Sequence, residues 1–419
     1  MFQWIKTNRL GIGIALNALG VSIAIVCKEM LRLDSSVVTN LVYVLALLFT
    51  VDWNNLFLKH TLRFSKDMWW LLAFQVFIFL YAVIADASLM GSESSIVYTL
   101  YVIAYIIALL TNNGTIDGES FIKFIIVVTA FLNLIVFGLI VSGQTDLGSV
   151  YVRTLTYGTD RSSLSSVPLY YILAFICYKP RKLLDRIITI LILFLSVYNM
   201  LACVRRTVYI IVIVCLIVWI VKSINFQSIE RQKFIKCMVA IIIIICVFRI
   251  VYSIEWVQNI VNRSFESLTT GLATFFDDSA ADASVTIRNT NRALAIQDYK
   301  ENSIVQLIFG RGYAYMWIDL PFFEAFLDLG LIGGFAYLYF TGVLVVKEVL
   351  KKRAFTRGEW FIVFNAISVL ISGFVSGMPY GYGKYCPIAS FIFVIIMGKL
   401  GGETNEIVDD GSRNSMDDL

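Results

Sequence analysis

Histidine is almost absent from this chain of 419 residues, and the single copy is His60. The seven cysteines show no paired spacing and lie mostly within apolar runs, so we interpret them as membrane-embedded free thiols that serve packing. Charged residues make up only 15% of the chain, whereas hydrophobic residues make up 58% and the mean hydropathy is +0.78. This composition is typical of a polytopic membrane protein, and nothing in it points to nucleic acid as a partner.

Apolar segments recur along the whole chain. Because a bilayer core about 30 Å thick needs roughly 20 apolar residues per helix, the sequence predicts an all-α fold with about twelve transmembrane helices. The predicted spans are 10–27, 37–56, 68–85, 95–111, 122–142, 164–178, 187–203, 207–222, 234–252, 320–346, 359–376 and 385–401.

Four regions follow from this pattern. Residues 1–252 hold the first nine spans, and residues 253–318 form a long outer loop that includes a helical, arginine-bearing segment. Residues 319–401 hold the last three spans, and the acidic tail, 402–419, is predicted to be disordered because it is polar and aperiodic. Long loops that are ordered are commonly functional, so we expect the outer loop to contribute to a site.

Orientation is predicted from Lys and Arg. If the N-terminus is cytoplasmic, most Lys and Arg residues lie in cytoplasmic loops. The sequence therefore predicts a multi-pass protein of the bacterial cytoplasmic membrane with both termini in the cytoplasm. Lys6 and Arg9 precede the first span, and no small-residue cleavage pattern follows it, so we expect an uncleaved first helix. His60 then falls in a cytoplasmic loop, and histidine chemistry has no residue on the outer face.

Arginines nevertheless cluster on the predicted outer face. Residues 187–222 would form a helix about 54 Å long, too long for one crossing, so we expect a turn near residues 203–206. The clusters contain Arg153 and Arg161, Arg205 and Arg206, Arg288 and Arg292, and Arg311.

Two interpretations of these arginines stay open. The guanidinium is always charged and binds phosphate through a bidentate fork, which favours a polyanionic ligand such as a lipid-linked diphosphate. Alternatively, Arg205 and Arg206 cap a hairpin and reach lipid headgroups, and Arg288 and Arg292 belong to a basic helix on the membrane surface.

Acidic residues open the tenth predicted span. Asp319 lies at the outer boundary, and Glu324 and Asp328 follow at a helical spacing of four, so these two can face a common cavity. Such a carboxylate could deprotonate a sugar hydroxyl, or it could pair with arginines as a structural clamp. Asp277, Asp278 and Asp282 form a further acidic group, which we interpret as an exposed loop rather than a metal site.

Two stretches resemble the O-antigen polymerase and ligase superfamily. These are RNTNRALAIQDYKENSIVQLIFGRGY followed by DLPFFEAFLDLGLIGG, and ACVRRTVYI, within residues 150–345. The resemblance implies a GT-C-like membrane fold and glycosyl transfer between polyprenyl-diphosphate-linked oligosaccharides on the outer face, with no metal or other cofactor. Ligases of this superfamily carry a histidine where this chain has Asp319, so the resemblance favours a Wzy-type polymerase for O-antigen, capsule or exopolysaccharide.

Roles follow from the combined argument. Arg288, Arg292 and Arg206 are expected to hold the donor diphosphate, with Arg205 beside them, and Asp319 or Glu324 to act as the base. The second lipid diphosphate is expected to be held, or the site closed, by Arg153, Arg161 and Arg311. Rings for stacking on sugars are expected from Tyr157, Tyr313, Tyr380 and Tyr382. Besides membrane lipid, a flippase and a chain-length regulator are expected partners.

Other functions remain as alternatives. A ligase-like glycosyltransferase would use the same outer arginines. A flippase or exporter of lipid-linked oligosaccharides would also use them for binding, but the sequence shows neither an internal repeat nor paired broken helices, which are common in transporters. A membrane O-acyltransferase is disfavoured because the outer face lacks histidine.

The predicted topology is directly testable. In a background without native cysteines, we expect Ser279→Cys to react with an impermeant thiol reagent in intact spheroplasts. Reaction only after permeabilisation would place the arginine clusters in the cytoplasm and remove the basis of the predicted mechanism.

Overall fold

The structure, a computed structural model, describes most of the chain. It describes residues 8–31, 35–59, 66–84, 92–112, 114–142, 164–203, 205–223, 283–313, 315, 316, 318, 320–351 and 355–375, with single positions between 249 and 269. These residues are predominantly helical and include no β-strand. Four helices are long and apolar enough to cross a membrane, namely Arg9–Leu31, Gly118–Val141, Leu183–Ala202 and Pro321–Lys347. The predicted class, an all-helical membrane protein, is confirmed.

The structure describes thirteen α-helices. In chain order they are α1 Arg9–Leu31, α2 Ser35–Thr50, α3 Lys66–Ile84, α4 Ser92–Thr111, α5 Gly118–Val141, α6 Ser166–Cys177, α7 Leu183–Ala202, α8 Arg206–Ser223, α9 Ala283–Lys300, α10 Ile304–Phe309, α11 Pro321–Leu338, α12 Leu344–Lys351 and α13 Arg357–Val375. Two segments are π-helical: Asn55–Lys59 follows α2 after a short break, and Tyr339–Val343 directly continues α11.

Most predicted spans coincide with these helices. The spans at 234–252 and 385–401, and the tail at 402–419, lie outside the described residues. The number of crossings therefore stays a prediction. Of the long outer loop, the described part includes α9 and α10, and α9 is the helical segment that bears Arg288 and Arg292.

A helix ends near residues 203–206, where the length of the apolar segment predicted a turn. Helix α7 ends at Ala202, Cys203 caps it through its backbone N–H, and α8 begins at Arg206. The Tyr209 hydroxyl donates to the Met200 carbonyl oxygen at 3.3 Å across this break. Arg205 therefore lies between two helices, and Arg206 is the first residue of the second one.

Polar contacts gather several loops at one end of the bundle. The contacts join Arg9 to Leu48, Asn112 to Thr50, Arg181 to Glu119 and Lys222 to Leu350. Each involves a residue at or near a loop that the Lys and Arg pattern assigned to the cytoplasm. Arg206 lies at the opposite end of α8 from Lys222.

The interior combines apolar packing with a few buried polar bonds. Asn199 of α7 donates from Nδ2 to the Oδ1 and the carbonyl oxygen of Asn133 on α5, at 3.1 and 2.9 Å. Both side chains are fully buried. Bonds of this kind between membrane helices contribute about 0.6 to 2 kcal/mol each, so they add specificity to a packing that is mainly apolar.

Candidate active site

Helix α11 is broken in its middle. Gly330 has φ +68°, a non-helical value within an otherwise continuous helix. A break leaves carbonyl groups without their helical partners, and such groups must be satisfied by protein where no water is present. The Leu327 carbonyl oxygen accepts from the backbone N–H of Arg311 at 3.0 Å, and the Asp328 carbonyl oxygen accepts from that of Gly312 at 3.2 Å.

The N–H groups that bind these carbonyl oxygens belong to a tight segment, Gly310–Tyr313, which we call the glycine turn. Gly310 has φ 88°, and it lies directly against Gly330. A Cβ atom on Gly310 would overlap the carbonyl group of Asp328, and one on Gly330 would overlap that of Ile308. Only glycine at both positions lets the two backbones approach this closely while keeping positive φ.

Two carboxylates are buried beside the glycine turn. Glu324 and Asp328 are both 0% exposed. The Oε2 atom of Glu324 accepts from the backbone N–H of Ile318 at 3.2 Å, and the Oδ1 atom of Asp328 accepts from that of Tyr315 at 3.2 Å. Burial of acidic groups is costly, and in membrane proteins such groups are usually functional. The segment that leads from the glycine turn into α11 therefore holds both acids in place.

Arg311 is held by protein groups on every side. Its Nη1 atom forms an ion pair with Asp298 at 3.2 Å and donates to the Tyr315 hydroxyl at 2.9 Å. The guanidinium also donates to the Asn302 side chain and to the Asp298 carbonyl oxygen, and it lies over the Tyr315 ring at 5.2 Å. Of its two expected roles, this arrangement favours closing the site over direct contact with a diphosphate.

Helix α9 packs against the first half of α11. Ala295 is fully buried in a small apolar cluster with Leu327 and Ile318, and the Tyr299 ring lies 6.3 Å from that of Phe323. Arg292 precedes Ala295 by three residues and is half-buried, so it lies near the face of α9 that meets α11.

Arg288 belongs to the same face of α9. It precedes Arg292 by four residues and Ala295 by seven, and these spacings repeat along one side of a helix. Its side chain lies outside the described residues, although its backbone is helical. The two arginines of α9 therefore belong to a helix that packs, through Ala295, against the helix that bears the buried acids.

Arg206 lies at the same end of the bundle as Glu324. The Cys215 thiol contacts the Phe364 carbonyl oxygen at 3.9 Å, which fixes the level of α8 relative to α13. Because the two helices run in opposite directions, Arg206 and Phe374 both lie about 14 Å further toward that end. The Phe374 ring lies 4.5 Å from that of Phe322, two residues before Glu324.

Other expected site residues are placed differently or not described. Tyr313 is only 3% exposed and belongs to the main apolar core, so its ring is not presented to a sugar in this structure. Outside the described residues lie Arg153, Tyr157, Arg161, Asp277, Asp278, Asp282, Asp319, Tyr380 and Tyr382. Within the described ranges, no group of three His, Cys, Asp or Glu residues is arranged to hold a metal ion.

Some residues of the site had no recognisable signal in the sequence. Asp298 and Asn302 anchor Arg311, and the Tyr81 hydroxyl donates to the Phe309 carbonyl oxygen at 2.7 Å, which ties α3 to the end of α10. These contacts join distant parts of the chain. The glycines of GRG and LGLIGG were the available signal for the break, because paired glycines permit close backbone approach.

Comparison with known proteins adds no identification. No protein-family model matches the sequence, and no curated protein matches it.

The break at Gly330 makes a prediction about stability. We expect Gly330→Ala to lower the melting temperature of the purified protein in detergent, because positive φ costs a residue with a Cβ about 1–3 kcal/mol and the new methyl group overlaps backbone. Gly138→Ala is the control, since a Cβ there meets nothing within 4 Å and alanine favours a helix. Equal melting temperatures for the two variants would contradict the proposed contact.

Proposed function

We propose that this protein is a membrane glycosyltransferase that polymerises oligosaccharide repeat units carried on polyprenyl diphosphate, at the outer face of a bacterial cytoplasmic membrane. The observation that carries the proposal is a fully buried carboxylate, Glu324, in the first turn of a broken apolar helix, against a helix that bears arginines. The resemblance of residues 150–345 to O-antigen polymerases supports the same class of reaction.

The reaction needs a base near the acceptor. The acceptor hydroxyl attacks the anomeric carbon of the donor sugar, the bond from that carbon to the diphosphate oxygen breaks, and the hydroxyl proton passes to a carboxylate. Glu324 is suited to this step because it is a buried carboxylate whose Oε2 atom is oriented by the Ile318 N–H at 3.2 Å. Asp319 is the other candidate, and it stands where the related ligases carry histidine.

The leaving group needs compensation for its negative charge. In this proposal Arg288 and Arg292 on α9, with Arg206 and Arg205 at the α7–α8 break, bind the donor diphosphate and stabilise it as the bond breaks. Arg153, Tyr157 and Arg161 bind the second lipid-linked chain. Arg311 keeps the glycine turn in place and thereby closes the site.

A flippase or exporter of lipid-linked oligosaccharides is the second candidate. One observation favours it: discontinuous helices such as α11 are frequent at the binding sites of transporters. Purified protein in vesicles with a defined lipid-linked repeat distinguishes the two, because a polymerase yields a ladder of products and a flippase yields only movement of the repeat between leaflets.

The arginines of α9 test diphosphate binding. Lysine keeps the charge but loses the bidentate fork, so we expect Arg288→Lys and Arg292→Lys each to reduce polymer by at least about tenfold at unchanged protein levels. Arg181→Lys is the matched control, because Arg181 is 80% exposed and pairs with Glu119 at the other end of the bundle. Normal polymer from both α9 variants would count strongly against this role.

Glu324 and Asp319 test the base. Glutamine at 324 keeps an oxygen that can accept from the Ile318 N–H but cannot take up a proton, so we expect Glu324→Gln to reduce turnover by roughly 10²–10⁴-fold while donor binding persists. Asp319→Asn is measured in parallel, and Glu119→Gln is the control. A purely structural role would instead appear as lost expression or folding, because a buried network loses a charged member. Near-normal turnover in both acid variants would show that neither acid is the base.

A further inference from the structure

A second site lies at the opposite end of the bundle from Glu324. A cavity of ≈ 490 Å³ opens between α7 and α8 where α6 ends, and its wall includes Tyr178, Lys179, Arg186, Leu216 and Trp219. Trp219 follows Arg206 by thirteen residues, which is about 20 Å along α8. The cavity is therefore separate from the proposed active site.

The short length of α6 accounts for this space. With 12 residues, α6 is about 18 Å long, whereas the hydrocarbon core of a bilayer is about 30 Å thick. Helices α7 and α8, with 20 and 18 residues, reach further. The end of α6 consequently leaves a gap between its two longer neighbours, and the connection at Tyr178–Lys182 covers only part of it.

Two cations line this cavity, and the described part of the chain gives neither side chain a counterion. Lys179 and Arg186 are exposed, and neither side chain forms an ion pair or hydrogen bond with any residue that the structure describes. The backbone N–H of Arg186 donates to the Lys182 carbonyl oxygen at 3.1 Å. Nearby Arg181 is different, because it pairs with Glu119 at 2.5 Å. Asp185, in the first turn of α7, is the neighbouring acidic side chain, and one carboxylate cannot balance both cations.

The remaining wall is apolar and aromatic. Leu216 and Ile190 line the cavity, and Ile190 is exposed. Tyr178 and Trp219 are half-buried, and rings of these two types typically lie at the level of lipid headgroups. The two cations suit a phosphate group, and the apolar wall beside them suits acyl chains, so the cavity matches a phospholipid.

We propose that this cavity binds an anionic glycerophospholipid, with the lipid phosphate between Lys179 and Arg186 and an acyl chain along Ile190 and Leu216. Basic pockets between membrane helices bind anionic headgroups in this way. The site does not depend on the proposed function. It gives the protein a fixed lipid at the end of the bundle where the Lys and Arg pattern places the cytoplasm.

Lipid binding to the purified full-length protein tests this proposal. We expect phosphatidylglycerol, titrated into detergent-solubilised protein and followed by native mass spectrometry, to bind at least about tenfold more tightly than phosphatidylcholine. The double variant Lys179→Gln with Arg186→Gln should lose at least about tenfold in affinity for phosphatidylglycerol. The control is the double variant Arg181→Gln with Lys182→Gln, which also removes two positive charges from this end of the bundle but none from the cavity wall. It should lose less than about twofold in affinity for phosphatidylglycerol.

Further measurements distinguish a specific lipid site from non-specific attraction of anions to basic residues. Leu216→Trp keeps the charges but fills the cavity, so it should also weaken phosphatidylglycerol binding, and Leu216→Phe serves if tryptophan disturbs folding. Inorganic phosphate should not displace the lipid at equal concentration. Equal losses in the two charge variants, unchanged binding in the Leu216 variants that fold, or displacement by inorganic phosphate would each overturn the proposal.

Discussion

The candidate site depends on the two backbone hydrogen bonds that join the glycine turn to α11. They satisfy the Leu327 and Asp328 carbonyl groups at the break, at 3.0 and 3.2 Å, in a part of the chain that is otherwise apolar. Without them, a helix break at this depth would leave polar backbone groups without partners, at a cost of several kcal/mol each.

The buried acids follow from the same arrangement. Because Gly310–Tyr313 occupies the surface of α11, the segment from Tyr315 to Ile318 must pass beside the first turns of that helix. Its N–H groups then point at Glu324 and Asp328, which supply acceptors at 3.2 Å. Arg311 completes the unit by joining α9 to the glycine turn through Asp298. A substrate that moved α9 would therefore also affect the surroundings of both acids.

The sequence predicted the helical parts of this arrangement well. The apolar runs identified the helices, and a simple length argument located the break at residues 203–206, because both depend on local composition. The paired spacing of Arg288 and Arg292 likewise predicted a helix within the outer loop. The role of Arg311 and the position of Gly330 were beyond such reasoning. Both depend on contacts between residues far apart in the chain, and a single glycine in an apolar helix is usually compatible with a continuous one.

The cations at the two ends of the bundle are held in different ways, and this difference bears on function. Arg311 is fixed by a carboxylate, an amide and a ring, and it shapes a buried site from within. Lys179 and Arg186 are exposed beside a cavity, where lipid can supply the missing negative charge. A cation that organises protein needs partners in the chain, whereas one that recruits a ligand must keep its donors available.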